Sequence, residues 1–299
     1  MPNVLILGAS GMLGSMVTRV LSQSPELRVI ATVRAQTPTG GSLRHFDVRS
    51  DDIGPLLDAE HYDWIVNAIG VIKSRIDVRT SSSVENAIAV NALFPHRLAA
   101  ECARRGQRMI QIATDGVFSG AGGPYDEAAC HDALDVYGKT KSLGEVPLEN
   151  VVQLRCSIIG PELGVPASLL ARILSSPRGA QLDGYAQHRW NGVTTLHFAK
   201  LCAAIIGGTK VCSLQHVIPA DTVSKAELLE LSLSAFGRED VGVQRVSGPT
   251  APVDRTLTTR NPGANLRLWR AANYERPPAI AEMLRELAEY ETRVARTAR

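Results

Sequence analysis

The sequence predicts an α/β protein: a doubly wound parallel sheet followed by a smaller, mixed C-terminal lobe. Three observations carry this. Short apolar runs recur along the first half, separated by stretches with helical spacing. The first of them, residues 3–7, leads straight into Gly8-Ala9-Ser10-Gly11-Met12-Leu13-Gly14, whose glycines are three apart. After Gly160-Pro161 the regular alternation stops. A continuous apolar strand is one buried on both faces, and strand–helix alternation puts helices on both sides of such a sheet.

Following the chain, Leu13, Met16, Val17, Val20 and Leu21 mark a helix after the glycine turn, and residues 29–33 form the second strand. Further strands are expected at 43–46, 64–69, 108–113 and 151–155, with helices over about 52–59, 84–105 and 136–145. Pro95 interrupts the 84–105 segment and either kinks it or starts a new helix. Residues 161–192 read as loop-rich, 194–207 as a helix and 211–218 as a strand. Ser224-x-x-Glu227 spells a capping box that opens a helix to about Phe236. Turn signals crowd 241–262, and 277–297 is an amphipathic helix. The expected organisation is a cofactor-binding domain over 1–160, with 193–218 returning to it, and a substrate lobe made of 161–192 and 219–299.

A formal charge of +2 offers no basic field for nucleic acid, and the apolar runs fall short of the ~20 residues that cross a bilayer. Cys102, Cys130, Cys156, Cys202 and Cys212 are odd in number and at least ten residues apart, so neither a metal pair nor a disulfide framework is expected. The run Val4-Leu5-Ile6-Leu7 has no basic flank and reads as a strand rather than a signal peptide. These features point to a cytoplasmic protein without metal, nucleic-acid or membrane partners.

The glycine turn suits a dinucleotide: backbone N–H groups from Gly8 and Ser10 to Gly14 can approach a pyrophosphate at a helix N-terminus. At the end of the second strand, Val33 stands where an acidic residue would bind a ribose 2′-hydroxyl, and Arg34 beside it suits a 2′-phosphate. NADP(H) is therefore favoured over NAD(H). Asp47-Val48 ends the third strand, where a carboxylate either meets the adenine amino group or caps a helix. The small residues Ala68-Ile69-Gly70, after Asn67, let a cofactor lie across the strand ends, and Asn91 can bridge towards the site. Tyr137 and Lys141 are four apart and share a helix face. A phenol titrates near ~10, and a neighbouring ammonium is expected to pull it down. Thr114, 23 residues before Tyr137, supplies a hydroxyl to hold a carbonyl oxygen. The three make a carbonyl-reducing or carbinol-oxidising set.

Together with Gly123-Pro124-Tyr125-Asp126-Glu127 and Leu154-Arg155-Cys156-Ser157-Ile158-Ile159-Gly160, residues 6–14, 114–118 and 136–145 resemble the extended short-chain dehydrogenase/reductase superfamily. Within it they are most similar to the dTDP-4-dehydrorhamnose reductase-like group, with a weaker likeness at Trp190-Asn191-Gly192-Val193-Thr194-Thr195. The likeness is clear to about residue 160, patchy to about 200 and thin beyond. It implies a Rossmann-type domain, Thr114, Tyr137 and Lys141 as the catalytic set, and Lys141 on the nicotinamide ribose. It further implies NADPH-dependent reduction of the C4 carbonyl of a nucleotide-activated 4-keto-6-deoxy sugar, for polysaccharide or deoxysugar biosynthesis. Sugar 4,6-dehydratases of this superfamily carry Asp-Glu, and fucose synthase-like enzymes a cysteine, near the position of Asp115-Gly116, so Gly116 favours simple reduction. The rival readings are an NAD-retaining nucleotide-sugar epimerase and a non-catalytic regulatory subunit of the same fold.

Lys73, Arg75, Trp190, Asn191, Arg255 and Arg260 lie in stretches that can line a substrate cleft, and 253–257 resembles the group's nucleotide-contacting segment. His188 reads as a loop residue. The helices over 84–105 and 136–145 leave room for a homodimer.

Overall fold

The computed structural model describes residues 1–34, 41–162, 168–247 and 251–297. Its centre is a seven-stranded sheet. The first half supplies β1 (Asn3–Leu7), β2 (Arg28–Val33), β3 (Leu43–His45), β4 (Trp64–Asn67), β5 (Arg108–Ala113) and β6 (Val151–Arg155). Helices α1 (Met12–Ser22), α2 (Ile53–Asp58), α3 (Ser81–Ala87), α4 (Phe94–Arg104) and α5 (Val136–Leu143) lie between them. The chain then makes β7 (Ile158–Ile159), α6 (Leu169–Leu174), β8 (Gln181–Tyr185), β9 (His188–Trp190) and β10 (Val193–Thr194). Next, α7 (Thr195–Ile206) and β11 (Leu214–His216) rejoin the main sheet. The remainder is β12 (Val223–Ser224), α8 (Lys225–Ala235), β13 (Gly242–Val246), β14 (Val253–Asp254), α9 (Pro262–Ala271) and α10 (Ile280–Thr297).

The sheet order is β11-β6-β5-β4-β1-β2-β3, with every pairing parallel. The winding reverses between β1 and β4, and the crevice outside the carboxyl ends of those strands is where such sheets bind ligands. The strand pleat divides the core. Val4 and Ile6 of β1 join a cluster with Met16, Phe198, Leu201, Leu284 and Trp269, whereas Leu5 and Leu7 face Phe46, Tyr62, Phe94 and Leu98. The other strands form smaller sheets: β12-β9-β14, β13-β8 and β10-β7.

One sequence expectation is resolved and one changes here. The 84–105 helix is three pieces: α3, a π-helical turn over Ile88–Leu93, and α4, which starts anew with Pro95 in its first turn, where no intrahelical donor is lost. The stretch 161–192 is not simply loop; it holds α6, β8 and β9. These elements are too short to show periodicity, and β9 is paired by strands more than thirty residues away in sequence. Residues 163–167 of that stretch, and 248–250 of the turn-rich 241–262, lie outside the described residues.

Candidate active site

Strand β5 ends at Ala113, and Thr114 caps the 3₁₀ turn Asp115–Val117 by accepting a hydrogen bond from Gly116 N at 3.1 Å. The Thr114 hydroxyl donates to Asp115 Oδ1 at 3.3 Å, and the Tyr137 ring packs on the same turn, each near the space a Cβ on Gly116 would fill. Helix α5 is pressed onto this turn: a Cβ on Gly138 would come within 2.5 Å of the Gly116 carbonyl oxygen. Its N-cap, Asp135, accepts from Gly138 N at 3.0 Å. At its other end a Cβ on Gly144 would meet the Asn91 carbonyl at 1.9 Å, so α5 also rests on the π turn. Asn91 itself bridges: it accepts from Val71 N (2.8 Å) and donates to Val71 O and Thr140 Oγ1.

A buried cation anchors the end of α5. Arg155 donates to both Glu145 oxygens (2.7 and 2.5 Å) and to Nε2 of His131 and of His216, each at 2.8 Å. A guanidinium only donates, so both Nε2 atoms are lone-pair acceptors and both rings are neutral with the proton on Nδ1. That proton goes to Ser142 Oγ from His131 and to the Thr258 carbonyl from His216.

The electrostatics differ from the sequence expectation. The Tyr137 phenol is pushed up to about 12, chiefly by burial, with the Thr114 hydrogen bond opposing and Asp115 and Asp135 reinforcing. Lys141 is lowered to about 8 by burial, and its ammonium donates to the Ile112 carbonyl at 2.8 Å. The lysine thus does not bring the phenol into the neutral range. At neutral pH Tyr137 keeps its proton, the state an acid needs.

On the sheet's other side of the crevice, Gly8 turns with φ of +86° and donates to Thr32 Oγ1, while Ala9 N donates to Thr32 O. A Cβ on Gly14 would lie 2.2 Å from Gly8 O, and one on Gly8 would lie 3.0 Å from Ile69 Cγ1. Gly11 caps α1 without any side-chain acceptor for the helix's first N–H groups. The N–H groups of Gly8, Ala9 and Gly11 are thus spent within the turn and on β2, Gly11 N donating to Gly8 O at 3.0 Å, contrary to the expectation that Gly8 and Gly11 donate to a pyrophosphate. Those of Ser10 and of Met12 to Gly14 form the cradle that fits an anionic dinucleotide. Ser10 and Gly11 are exposed and Met12 half-buried. The Leu13 side chain is buried in the core, so only its backbone faces the cradle. Arg34 is exposed at the end of β2. Asp47 is held by Arg49 through both oxygens, which lowers it to about 2. That carboxylate therefore meets an arginine first, and the neighbouring Val48 packs into the core beneath. Ala68 and Ile69 lie against the glycine turn, and Gly70 lies beside Asn91.

Residues 2–159 match the family described as RmlD substrate binding domain. The chain belongs to that family. A dTDP-4-dehydrorhamnose reductase of Streptomyces griseus is 28% identical over 298 residues, covering 93% of this chain and 94% of its own. The RmlD-family fold is shared with a dTDP-4-dehydrorhamnose reductase of Bacillus anthracis in complex with NADP (TM-score 0.71, 18% identity, 96% and 99% of the two chains). It is shared equally with MoeE5 in complex with UDP-glucuronic acid and NAD (TM-score 0.72, 19% identity, 98% and 99%).

The substrate residues expected in this RmlD-family chain divide into two groups. Lys73 pairs with Asp135 at 3.0 Å, which holds it at the start of α5, two residues from Tyr137. Arg75, next to it, pairs with Glu162. Arg255 bonds Ser119 O at 3.3 Å, and its charge reaches Asp115, Asp135 and Tyr137. The others are not brought to the site in this way. Trp190 is buried in the core, with the Lys225 ammonium 5.5 Å from its ring centre. Asn191 is buried and uses both ends of its amide on Leu257, donating to O (2.7 Å) and accepting from N (2.9 Å). Arg260 is exposed beside Asp126, its backbone N–H given to Glu127. His188 is part of β9, stacked against Tyr185. Sequence reasoning did not single out Asp115, whose carboxylate lies 3.3 Å from the Thr114 hydroxyl, or Lys225, whose charge reaches that carboxylate. Only the capping box at Ser224 pointed to Lys225, as the first residue of a helix.

Proposed function

We propose that the protein is an NADPH-dependent reductase of the C4 carbonyl of a nucleotide-activated 4-keto-6-deoxy sugar. The observation that carries this is the Thr114 hydroxyl beside a buried phenol that stays protonated at neutral pH, at the strand end two places from the glycine cradle. The relationship to the Streptomyces griseus reductase supports the substrate class. Solved structures of the same fold hold NADP and NAD alike, so the preference for NADPH rests on Arg34 at the end of β2.

The backbone of the Gly8–Gly14 turn would hold the pyrophosphate, Arg34 the 2′-phosphate and Lys141 the nicotinamide ribose. When bound, the cofactor supplies the hydride. Thr114 orients the carbonyl oxygen by a hydrogen bond, and Tyr137 gives its proton to that oxygen as the C–H bond forms. Solvent then returns a proton to the phenolate. Lys141, fixed on the Ile112 carbonyl, is a near neighbour along α5 whose positive charge favours the phenolate left when that proton is given up. Lys73 and Arg255 supply positive charge for the substrate's diphosphate.

The test offers dTDP-, UDP- and GDP-4-keto-6-deoxyhexoses to the protein and follows loss of the reduced-nicotinamide absorbance, with NADPH and NADH compared. Turnover with one nucleotide class is expected, faster with NADPH. In Tyr137→Phe, kcat falls by about 10²- to 10⁴-fold while cofactor affinity is kept. No turnover with any sugar, together with NAD released on denaturation, would favour the epimerase reading instead.

A further inference from the structure

Beyond the 3₁₀ turn Asp115–Val117 the chain continues into an arm, residues 119–127, and a strap from the far end of the sequence, residues 254–260, lies along it. The backbones lace the two together. Asp254 N donates to Gly120 O at 2.8 Å, Tyr125 N to Thr256 O at 2.9 Å and Thr258 N to Tyr125 O at 2.7 Å. The approach is close enough to require glycine: a Cβ on Gly123 would lie 2.1 Å from Asp254 O, and one on Gly120 2.5 Å from Val253 Cγ1. On its other side the strap follows β9, where Asp254 stands opposite Arg189, and the Asn191 amide closes on Leu257.

Arg255 is half-buried in this strap. Its Nε donates to Ser119 O at 3.3 Å, two residues past the turn, and its terminal amino groups make no hydrogen bond among the described residues. A planar fork left open in this way suits a diphosphate. One carboxylate fixes the strap's far end. Glu127 Oε1 accepts from Thr259 Oγ1 at 2.5 Å and from His216 N at 3.2 Å, and Oε2 accepts from Arg260 N at 2.8 Å. His216 belongs to β11 and stands opposite Arg155 of β6, so the same carboxylate grips the strap and the edge of the main sheet. We propose that Glu127 is a positioning residue for the substrate: by clamping Thr259 and Arg260 it holds the strap on the arm, and so sets the Arg255 guanidinium beside the Asp115–Val117 turn to meet the diphosphate of the sugar nucleotide. This rests on the reductase reading and deepens it.

A carboxylate only accepts, and both Glu127 oxygens are taken up by donors. Glutamine has the same shape, but one of its two ends donates. Glu127→Gln therefore leaves at least one of the three donors facing another donor and frees that end of the strap. The glycine turn after β1 shares no residue with the strap or the arm, so cofactor affinity is a control for the rest of the fold.

The experiment measures kcat and KM for wild type, Glu127→Gln, Arg255→Met and the Glu127→Gln/Arg255→Met double variant with the sugar that supports turnover, beside NADPH titrations. Glu127→Gln is expected to raise KM by about tenfold or more, with kcat changed by less than about threefold and NADPH affinity kept. In the Arg255→Met background the same substitution is expected to change KM by less than about threefold, because the group it positions is gone. An unchanged KM, a rise undiminished in the Arg255→Met background, or a parallel fall of kcat and NADPH affinity overturns the assignment. If Glu127→Gln does not fold, Thr259→Val and Thr259→Ser replace it, with KM expected to rise in the valine variant and to stay near wild type in the serine one. If the wild-type protein reduces none of the sugars, the reductase reading has failed by itself, and calorimetry with dTDP, UDP and GDP decides about Glu127. Affinity lost on Glu127→Gln in wild type but not in the Arg255→Met background supports the clamp. Equal losses in both, or no binding of any of the three by wild type, sink it.

Discussion

A Cβ added at Gly116 would stand 2.8 Å from Cε1 of Tyr137 and 3.3 Å from Thr114 Oγ1. The missing side chain that in sequence only argued against a dehydratase has a positive reason in the structure: it gives the phenol room to reach Thr114. Gly116→Ala is therefore expected to displace the ring and lower kcat by about 10²-fold with cofactor affinity retained. Steady-state kinetics beside a cofactor titration checks this, and an unchanged kcat contradicts it. The placement of Thr114 at a strand end and of Tyr137 and Lys141 on one helix was legible in the sequence because both are local signals. The direction of the phenol's shift was not, because burial is a tertiary property that outweighs a neighbouring charge. Asn191 was misread for a similar reason: the backbone that consumes its amide is 66 residues away.

Helix α5 is held at its start by Gly138 against Gly116, along its length by Asn91 and at its end by the Arg155 group. The sequence marked the helix; the π turn that brings Asn91 to it carries no distinctive spacing. The Arg155 group makes stability depend on acid. Burial lowers both His131 and His216, and the Arg155 charge adds to this. Their unfolded value is near ~6.5, so above it both states are neutral and the contribution is complete. As pH falls below ~6.5 the unfolded chain takes up protons first, and the contribution is lost as pH passes the lowered folded values. His188 and His197 are lowered too and act in the same direction. Urea midpoints are therefore expected to fall between neutral pH and about pH 5, and a flat or rising midpoint contradicts this. Arg155→Met leaves Glu145 without its cation and is expected to cost about 3–5 kcal/mol, read from the same denaturation curves at neutral pH.

At the scale of the whole molecule, strand–helix alternation was enough to give the main sheet, whereas the small sheets depend on pairings between distant short strands. Lys225 and Arg255 each follow a strand of those small sheets, so both come from the half of the chain hardest to read. The main sheet itself is completed late: β11 adds the strand beside β6, and α7 covers α1 with Phe198, Leu201 and Ile205. Residues 1–160 expressed alone would leave Val4, Ile6, Met16, Val17 and Leu21 without that cover. Such a fragment is expected to bind a hydrophobic dye and to melt without a cooperative transition, and a sharp melt with NADPH binding would refute this. On that expectation the stretch that carries the family likeness, residues 2–159, would be a unit of descent but not a unit of folding. Transplanting it onto another C-terminal half would succeed only if the new partner returned a strand and a helix to the same edge.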